Sequence, residues 1–546
     1  MMSQDSIPYT RVPKSSALLL DYLYHFDRVA RFYGDNPTDL NPMRVRAQRL
    51  SELADHRREI ANVLLRQNEA LGCSPETLHN IEQLAQPGTV AVVTGQQAGF
   101  FSGPAFTLYK ALTAIKLADG LKRMGLQAVP IFWLASEDHD LAEVAHTTIL
   151  NDQDEPIELG DAGELPSPQT SVGYVRLSEG VVSTLDRLES LLPPGEPRER
   201  LLGDLRASYR PRETWHKAFG LFMTRIFTRW GVIMLDPLDA EIHRLSAPMY
   251  REVLARADEL RRSLMERSQE LVRAGYHAQV HIAANSTLVF VERDGSRRPL
   301  HHRDGEKGSG YFVREEENIS LAKLQEEIYR SPLAFSPNVL LRPVVQDCLL
   351  PTLAYVAGPS ELAYFGQAQV LYEALGRPMP AILPRAAFTL VDARCRRLLA
   401  KYHVTLEDVW QGEDHLIQRI GAAGVPEGWV ERFEQNEREL ERMMECLRSD
   451  VATLDPTLLD AVRHAEEKIK FQMERLKSKM ARAALERSEL LRHHQEILQR
   501  CLMPRHGLQE REVAGVYFLG RVGYGLLDHL LEHVRLESFN HEVLDV

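Results

Sequence analysis

The stretch 92-VVTGQQAGFFSGPAFTLYK-110 contains the features that decide the fold of this chain. Its first residues are apolar and β-branched, as in a buried strand, and they end in Thr94-Gly95 followed by two glutamines. Glycines and a proline then form a turn, and a helical pattern of apolar residues follows. The next apolar run, AVPIFWLA (128–135), predicts a second strand. Strand, glycine-rich turn, helix and strand in this order predict a βαβ unit with parallel strands buried on both faces.

Short apolar runs recur further along the chain and predict more strands of the same sheet. These runs are GVIMLDP (231–237), TLAYVAG (352–358) and PAILPR (380–385). We therefore predict an α/β fold with one open parallel sheet over residues 1–390 and inserted connecting regions at about 147–230 and 250–330.

The region after residue 426 has a different pattern, in which apolar residues recur every seven positions among charged ones. Asp455-Pro456 separates two such runs. This pattern predicts two helices that pair as an antiparallel coiled-coil hairpin, in an arm that spans 391–505. Residues 506–546 regain a globular pattern and are predicted to return to the core. The repeat positions are Phe433, Leu440, Leu447 and Leu454 in the first run, and Ile469, Leu476, Ala483, Leu490 and Ile497 in the second.

Composition narrows the class of protein. The chain has 546 residues and a formal net charge of -12, which argues against a nucleic-acid partner. No apolar run approaches the roughly 20 residues of a bilayer crossing, so no membrane partner is predicted. The N-terminus lacks the layout of a signal peptide, and the five cysteines form no Cys-x-x-Cys pair. A cytoplasmic location is expected.

Loops that follow parallel strands form the crevice in which α/β proteins bind ligands. In the opening stretch, glycines permit close backbone approach, the helix start at Pro104 favours an anion, and the glutamines offer donors and acceptors. The alternative is a plain strand-to-helix turn. The candidate substrate-binding residues of this segment are Gln96, Gln97, Gly99, Ser102, Gly103 and Lys110.

The acidic loop SEDHD (136–140) follows the second predicted strand. Its carboxylates and imidazole could hold a metal, bind a polar substrate or supply a general base. The alternative is helix capping by Ser136 and by acids in the first turn. The candidate catalytic residues are Glu137, Asp138, His139 and Asp140.

Two further segments carry polar residues that suit a ligand site. In GYHAQVH (275–281), His277, Gln279 and His281 would share one face of a strand, either in a pocket or in solvent. Arg342 precedes a proline and could clamp a carboxylate with two parallel hydrogen bonds. The remaining candidates in these downstream segments are Asn338, Gln346, Glu361 and Tyr364.

Several of these segments together resemble one known family, the cysteine ligase (BshC) family of bacillithiol biosynthesis. The resemblance covers nearly the whole chain, from DYLYHFDRVARFY (21–33) to LQER (508–511). It implies a Rossmann-like core, a coiled-coil arm, and addition of cysteine to glucosamine-malate through an amide bond. It also implies a homodimer with the arm as candidate interface, and it adds Arg385 to the substrate-binding residues. The motifs that carry it are VVTGQQAGFFSGPAFTLYK, FWLASEDHD, GYHAQVH, SPNVLLRPVVQD, LPTLAYVAGPSELAYFGQ and ILPR.

Amide formation requires an activated carboxylate and a neutral amine. ATP or another nucleotide is the expected activator, but the chain has no G-x-x-x-x-G-K-[ST] phosphate loop, so the cofactor stays unknown. GEKGSG (305–310) is predicted to be a turn. No metal is assigned. Two other hypotheses stay open: a metal-dependent hydrolase or transferase that uses EDHD with His277 or His281, and a non-catalytic coiled-coil scaffold.

Overall fold

The fold is described from a computed structural model. It describes residues 5–53, 56–165, 167, 169–303, 310–314, 317–426 and 428–546. Most of the GEKGSG stretch lies outside the described residues. No helix among the described residues combines the length and the apolarity that a bilayer crossing requires.

The centre of the molecule is a five-stranded parallel sheet with the strand order β12 (Ala381–Pro384), β11 (Thr352–Ala357), β2 (Val90–Gln96), β3 (Ala128–Leu134) and β6 (Ile233–Leu235). This confirms the α/β prediction, and each apolar run named above forms one of its strands. The strands of the described residues are β1 (Asp5–Ile7), β2 (Val90–Gln96), β3 (Ala128–Leu134), β4 (His146–Leu150), β5 (Pro156–Gly160), β6 (Ile233–Leu235), β7 (Ser286–Arg293), β8 (Ser296–Arg303), β9 (Gly310–Phe312), β10 (Phe335–Pro337), β11 (Thr352–Ala357), β12 (Ala381–Pro384), β13 (Ala387–Val391) and β14 (His541–Asp545).

Helices cover both faces of this sheet, and alternate strand residues enter two hydrophobic cores. In β2, Ala91 and Val93 join the larger core while Val90 and Val92 join the smaller one. The helices are α1 (Ala17–Tyr24), α2 (Ala30–Tyr33), α3 (Leu40–Leu53), α4 (Arg57–Ala70), α5 (Pro75–Leu84), α6 (Phe106–Arg123), α7 (Leu141–Val144), α8 (Gly180–Leu191), α9 (Glu196–Ser208), α10 (Trp215–Ile226), α11 (Ala240–Ala255), α12 (Ala257–Arg273), α13 (Leu321–Arg330), α14 (Arg342–Leu349), α15 (Pro359–Ala374), α16 (Ala393–Tyr402), α17 (Leu406–Trp410), α18 (Glu413–Gly421), α19 (Trp429–Leu454), α20 (Leu459–Arg487), α21 (Glu489–Leu502), α22 (Gln509–Glu512), α23 (Gly515–Val522) and α24 (Gly525–His533).

Two smaller sheets complete the surroundings of the core. An antiparallel sheet with the order β10-β7-β8-β9 lies beside the carboxyl ends of the parallel strands. A second sheet joins the two ends of the chain, because β14 pairs with β1 on one side and with β13 on the other. Helix α24 packs on α6, so the C-terminal segment contacts the first βαβ unit.

The segment that contains His277, Gln279 and His281 differs from the prediction, because it is irregular and not a strand. The Gln367 side chain of α15 bonds both the N–H and the C=O of Val280, at 2.8 and 3.0 Å. These bonds satisfy backbone groups that a strand would pair with a neighbour. The polar residues therefore do not share one face.

Helices α19 and α20 form the predicted antiparallel hairpin, with ion pairs between Glu441 and Lys470 and between Arg448 and Glu466. In the first helix, the predicted positions Phe433 and Leu440 are buried, whereas Leu447 and Leu454 are exposed. The predicted seam of the second run was wrong for Ile469, Leu476, Ala483 and Leu490, whereas Ile497 on α21 is buried. The buried residues of α20 are Glu466, Ala481 and Leu485, and Ala481 packs against Gly421 of α18.

The second run lies elsewhere on the surface. Ile469, Leu476, Ala483 and Leu490 are exposed, with Leu476 at 52 % and Leu490 at 58 % of full exposure. The run is also divided between two helices, because Ser488 has extended backbone angles and caps α21 through Leu491 N–H. An apolar stripe with a seven-residue repeat is thus left exposed by the part of the chain that the structure describes.

Candidate active site

A cavity of about 800 Å³ opens at the carboxyl ends of β2, β3 and β11, where α/β sheets bind ligands. Its floor comes from the loops that follow these strands, and its roof from β7 and β8. The C-terminal segment also contributes one side chain, Arg511. The predicted site residues that line it are Gln96, Gln97, Lys110, Glu137, Asp138, Asn338, Arg342, Glu361, Tyr364 and Arg385, and His281 from the polar segment joins them.

Lys110 is a structural cation of this site. Its side chain is 1 % exposed, and its ammonium contacts Glu361 at 2.5 Å, Gly95 C=O at 2.5 Å and Gln96 Oε1 at 3.1 Å. Burial lowers the pKa of Lys110, and the carboxylate of Glu361 opposes that effect. Three acceptors use all three N–H donors of the ammonium, so Lys110 fixes the strand end and its charge is not free for a ligand.

Charged side chains orient the two glutamine amides in opposite senses, one through its oxygen and the other through its nitrogen. The amide oxygen of Gln96 accepts from Lys110, whereas the amide nitrogen of Gln97 donates to Asp138 and Glu143, each at 2.7 Å. Within the described residues, the Gln96 nitrogen and the Gln97 oxygen form no hydrogen bond. One oriented donor and one oriented acceptor therefore remain at the cavity wall, a combination that suits hydroxyl groups.

Arg342 is a cation of the cavity that remains available for a ligand. Its guanidinium donates to Tyr364 OH at 3.2 Å, Tyr355 OH at 3.4 Å and Gln346 Oε1 at 3.0 Å, and no carboxylate within the described residues forms an ion pair with it. Burial opposes its charge, but Tyr355, Tyr364 and Glu361 raise the pKa of Arg342, so it stays cationic. Gln346 lies behind Arg342 and does not line the cavity.

Asn338 lies just before Arg342 and is held by its own backbone. Its side-chain oxygen accepts from the N–H groups of Leu340 and Leu341 at 3.1 and 2.9 Å, which forms the turn that leads into α14.

Arg385 lines the cavity, but its guanidinium is already bound to the buried carboxylate of Glu510. Its terminal nitrogens donate to the two oxygens of Glu510 at 2.9 and 2.6 Å, and both side chains are buried. The predicted role as a substrate ligand therefore needs correction, because the planar fork that would bind a carboxylate already does so within the chain. Arg385 joins the core to the C-terminal segment.

The acidic side of the cavity begins at Glu137, directly after β3. This carboxyl is buried, with Oε1 at 3.5 Å from Nε2 of His243 on α11. Burial raises the pKa of Glu137, while His243 and Arg297 act in the opposite direction. Arg297 of β8 is fixed by Ser336 Oγ, by Pro337 C=O and by stacking 3.9 Å over Phe290.

The other three residues of the acidic loop have separate roles. Asp138 lines the cavity and accepts from Gln97 and from the N–H of His139. His139 Nδ1 lies 3.2 Å from Arg297, behind the cavity wall. Asp140 is the N-cap of α7, with its carboxylate 3.1 Å from Glu143 N–H, and does not line the cavity. For Asp140 the structure agrees with the capping alternative.

The glycine-rich turn lies outside the cavity lining. Gly99 approaches Gly103 so closely that a Cβ on Gly99 would meet Gly103 Cα at 2.7 Å, and Ser102 adopts a φ of 76°. Ala105 N–H donates to Val513 C=O at 2.9 Å, and Gly515 N–H to Gly103 C=O at 3.2 Å. The C-terminal segment therefore covers the helix start that was expected to attract an anion.

His277 and Gln279 also lie outside the cavity lining. Both are exposed, and their side chains bond each other at 2.9 Å.

Sequence reasoning missed several residues that the fold brings to the cavity. His243 lies in an ordinary amphipathic helix and Arg511 near the C-terminus, with no local motif around either. Glu143 could have been found, because it lies three residues after Asp140 in the same acidic segment. The missed residues are Glu143, His243, Arg297, Tyr355 and Arg511.

The metal-dependent alternative requires several ligands to converge. Among the described residues, no group of three or more His, Cys, Asp or Glu side chains is placed to hold a metal ion. His281 reaches the cavity, whereas His139 is turned toward Arg297.

Fold and cavity define an α/β protein of the Rossmann-like class, with a polar ligand site at the carboxyl edge of its sheet and a coiled-coil arm. Residues 2–386 match the family model described as Bacillithiol biosynthesis BshC, N-terminal Rossmann-like domain, and residues 388–546 match Bacillithiol biosynthesis BshC, C-terminal coiled-coil domain. The chain belongs to the BshC family of bacillithiol biosynthesis. This confirms the resemblance that the separate motifs predicted.

Curated relatives are similar over nearly their whole length. A protein of Koribacter versatilis (strain Ellin345) is 37 % identical over 532 residues, which cover 97 % of this chain and 98 % of that protein. Relatives from Solibacter usitatus (strain Ellin6076) and Salinibacter ruber (strain DSM 13855 / M31) are 35 % and 32 % identical, with coverage of 98 % and 97 % of this chain and 98 % and 96 % of the relatives. All three carry the name "Putative cysteine ligase BshC".

Proposed function

We propose that this protein is a ligase that joins cysteine to glucosamine-malate through an amide bond, the last step of bacillithiol biosynthesis. Membership of the BshC family and the names of its relatives support the ligase activity. The two substrates, the cytoplasmic location, and the limits of core, arm and C-terminal segment at residues 390 and 505 are parts of the same proposal.

The observation that carries the proposal is that one cavity is lined by both unpaired cations and carboxylates. Arg342 and Arg511 supply guanidinium groups without an ion-pair partner among the described residues, and Glu137, Asp138 and Glu143 line the same cavity. Glucosamine-malate has an amine at one end and two carboxylates at the other. A ligand of this kind would place its amine near the acids and its carboxylates near the arginines.

The wall between these two ends suits the sugar. Gln96 and Gln97 present an amide donor and an amide acceptor that are oriented by Lys110, Asp138 and Glu143. Neutral amides bind hydroxyl groups without altering the charge balance of the site.

Deletion of the gene in its host is the test of this function. We expect a deletion strain to lose bacillithiol and to accumulate glucosamine-malate, because the enzyme that consumes glucosamine-malate is absent. Bacillithiol would be identified by mass spectrometry as its fluorescent bimane derivative, and glucosamine-malate, which has no thiol, would be measured by mass spectrometry without labelling. The control is the deletion strain with the gene restored on a plasmid. Normal bacillithiol in the deletion strain would contradict the proposal.

A purified-protein assay identifies the reaction itself. The protein would be mixed with glucosamine-malate, cysteine and ATP, with ATP omitted or serine substituted for cysteine in the controls. Amide product that appears only in the complete mixture supports a nucleotide-dependent ligase, and serine incorporation at equal rate would contradict selection of cysteine.

We also propose that two copies associate through the exposed stripe of the arm. Apolar residues at Ile469, Leu476, Ala483 and Leu490 repeat every seven positions, which is the spacing of a coiled-coil seam. Their exposure in the single chain supports a second copy of the chain as the partner, since monomers rarely leave such stripes uncovered.

Leu476→Asp with Leu490→Asp should dissociate this dimer without unfolding the arm. Each aspartate would enter an apolar interface, yet both positions lie outside the buried residues of the hairpin, so the melting temperature should change little. Sedimentation velocity measures the assembly state. Phe471→Asp is the matched control, because Phe471 is 64 % exposed on the same helix but lies off the stripe. Dissociation by the control alone, or a monomeric wild type, would contradict the proposal.

A further inference from the structure

One carboxyl of the cavity, Glu137, faces a histidine that is itself fully buried. Glu137 faces an imidazole, His243, across 3.5 Å, and His243 is 2 % exposed. His243 lies in the second turn of α11 and is buried between the core and β10. The pair combines a side chain at the cavity wall with one that is out of reach of solvent.

The hydrogen bonds of His243 fix where its proton can be. Nδ1 lies 3.0 Å from Phe335 C=O and 3.2 Å from Pro332 C=O, and carbonyl oxygens only accept, so Nδ1 carries a hydrogen. Nε2 has no hydrogen-bond partner within the described part of the chain. The side of the imidazole that faces Glu137 is therefore free to accept a proton from that carboxyl.

Several charged groups surround Glu137. Burial raises its pKa, and His243, Arg297 and Arg342 act in the opposite direction. The titratable and charged groups that face it are His243 from α11, Arg297 from β8, Asp236 after β6, Arg342 from α14, Tyr174, and Tyr250 from α11.

The other acids of the loop are engaged in the structure of the site. One oxygen of Asp138 accepts from Gln97, and the other accepts from the N–H of His139 at 2.7 Å. Asp140 caps α7. Glu137 accepts no hydrogen bond from a donor within the described residues, so its lone pairs remain available for an incoming N–H group.

We propose that Glu137 is the general base that removes a proton from the amine of glucosamine-malate, and that His243 is a positioning residue that holds this carboxyl and shares its proton. The inference rests on the proposed ligase function. In this step an N–H bond of the substrate ammonium breaks, an O–H bond forms on Glu137, and the nitrogen keeps the electron pair. The amine then attacks the activated carboxyl carbon of cysteine, so that the C–N bond forms while the bond from this carbon to the activating group breaks and that group leaves with the electron pair.

The length of 3.5 Å suits such a role. Catalytic hydrogen bonds are often long in the free protein and tighten in the substrate complex. The bonds of Nδ1–H to two backbone carbonyls keep the imidazole facing Glu137, and Nε2 donates to this carboxylate once it has taken up the shared proton.

The test compares steady-state kinetics of amide formation from pH 5.5 to 9 in wild type, Glu137→Gln and His243→Asn. Glu137→Gln should lower kcat about 10²- to 10⁴-fold and leave KM for glucosamine-malate nearly unchanged. His243→Asn keeps a donor for the backbone carbonyls but removes Nε2. Because His243 lowers the pKa of Glu137, its loss should move the acidic limb of the pH profile to higher pH.

Glu241→Gln is the control, because Glu241 lies on α11 at the surface and pairs with Arg244. Its kinetics and melting temperature should match wild type. If Glu137→Gln keeps the kcat of wild type, Glu137 is not the general base. If folded His243→Asn keeps the acidic limb of the wild-type pH profile, His243 does not position Glu137. If His243→Asn fails to fold, the kcat of Glu137→Gln still decides on the base. A wild type that binds glucosamine-malate but forms no amide overturns the ligase itself, which distinguishes that failure from the others.

Discussion

Replacing Arg342 with lysine should weaken the binding of glucosamine-malate by roughly 100-fold, although the positive charge is kept. The planar guanidinium can bind a carboxylate with two parallel hydrogen bonds, whereas an ammonium offers a single point of charge. Tyr355 and Tyr364 orient the fork of Arg342, and no carboxylate of the described chain competes for it. Calorimetric titration of glucosamine-malate into both proteins measures the change.

Two comparisons make this result specific. Arg330→Lys changes an exposed arginine that pairs with Glu326, and it should leave the affinity unaltered. Glucosamine without the malyl group should bind wild type and Arg342→Lys equally weakly, because it lacks the carboxylates. Equal affinity of the two proteins for glucosamine-malate would show that Arg342 does not bind the malyl group.

Arg385→Met should destabilise the contact between the core and the C-terminal segment by about 3–5 kcal/mol. The substitution leaves the Glu510 carboxylate buried, and among the described residues only the N–H of Phe388, at 3.2 Å, still donates to it. Removing one member of a buried ion pair is more costly than removing both, because the remaining charge is uncompensated. Arg385→Met with Glu510→Leu should therefore recover much of the loss.

Hydrogen exchange of residues 509–515, followed by mass spectrometry, reports this contact directly. Burial raises the pKa of Glu510, but Arg385, together with His541 and Arg511, lowers it by more, so the net shift is downward. The stabilisation by the ion pair is thus present above the ordinary pKa of glutamate, about 4.3, and is lost as the pH falls through the lower value of the folded state. Equal exchange in wild type and Arg385→Met at pH 7 would contradict the role of the pair.

The parallel core could be predicted because its signals are local. The run that ends in Thr94 is apolar on both faces, and the glycines at 99 and 103 permit the tight turn before α6. A short apolar strand followed by a helix has few ways to bury both elements, and a parallel sheet covered by helices is the usual one. The family motifs extended this prediction over the chain.

The coiled-coil arm shows that a local sequence pattern does not determine which surfaces pair. A seven-residue repeat predicts that a stripe will be covered, but it does not identify the partner that covers it. In α19 the repeat positions Phe433 and Leu440 are buried, whereas in α20 the repeat through Leu476 stays exposed. In α20, Ala481 packs against Gly421 of α18, a contact that the repeat does not indicate.

By itself the sequence determined the fold class, the family, and the edge of the sheet at which the cavity lies. Each strand and the turn that follows it are specified by residues that are neighbours in the sequence. Only the tertiary structure decided which charged residues are free to bind. Lys110 forms an ion pair with Glu361, and Arg385 forms one with Glu510, which lies 125 residues further along the chain. Arg342 has no such partner among the described residues. Coulomb attraction acts through space, so neutralisation depends on neighbours that only folding brings together.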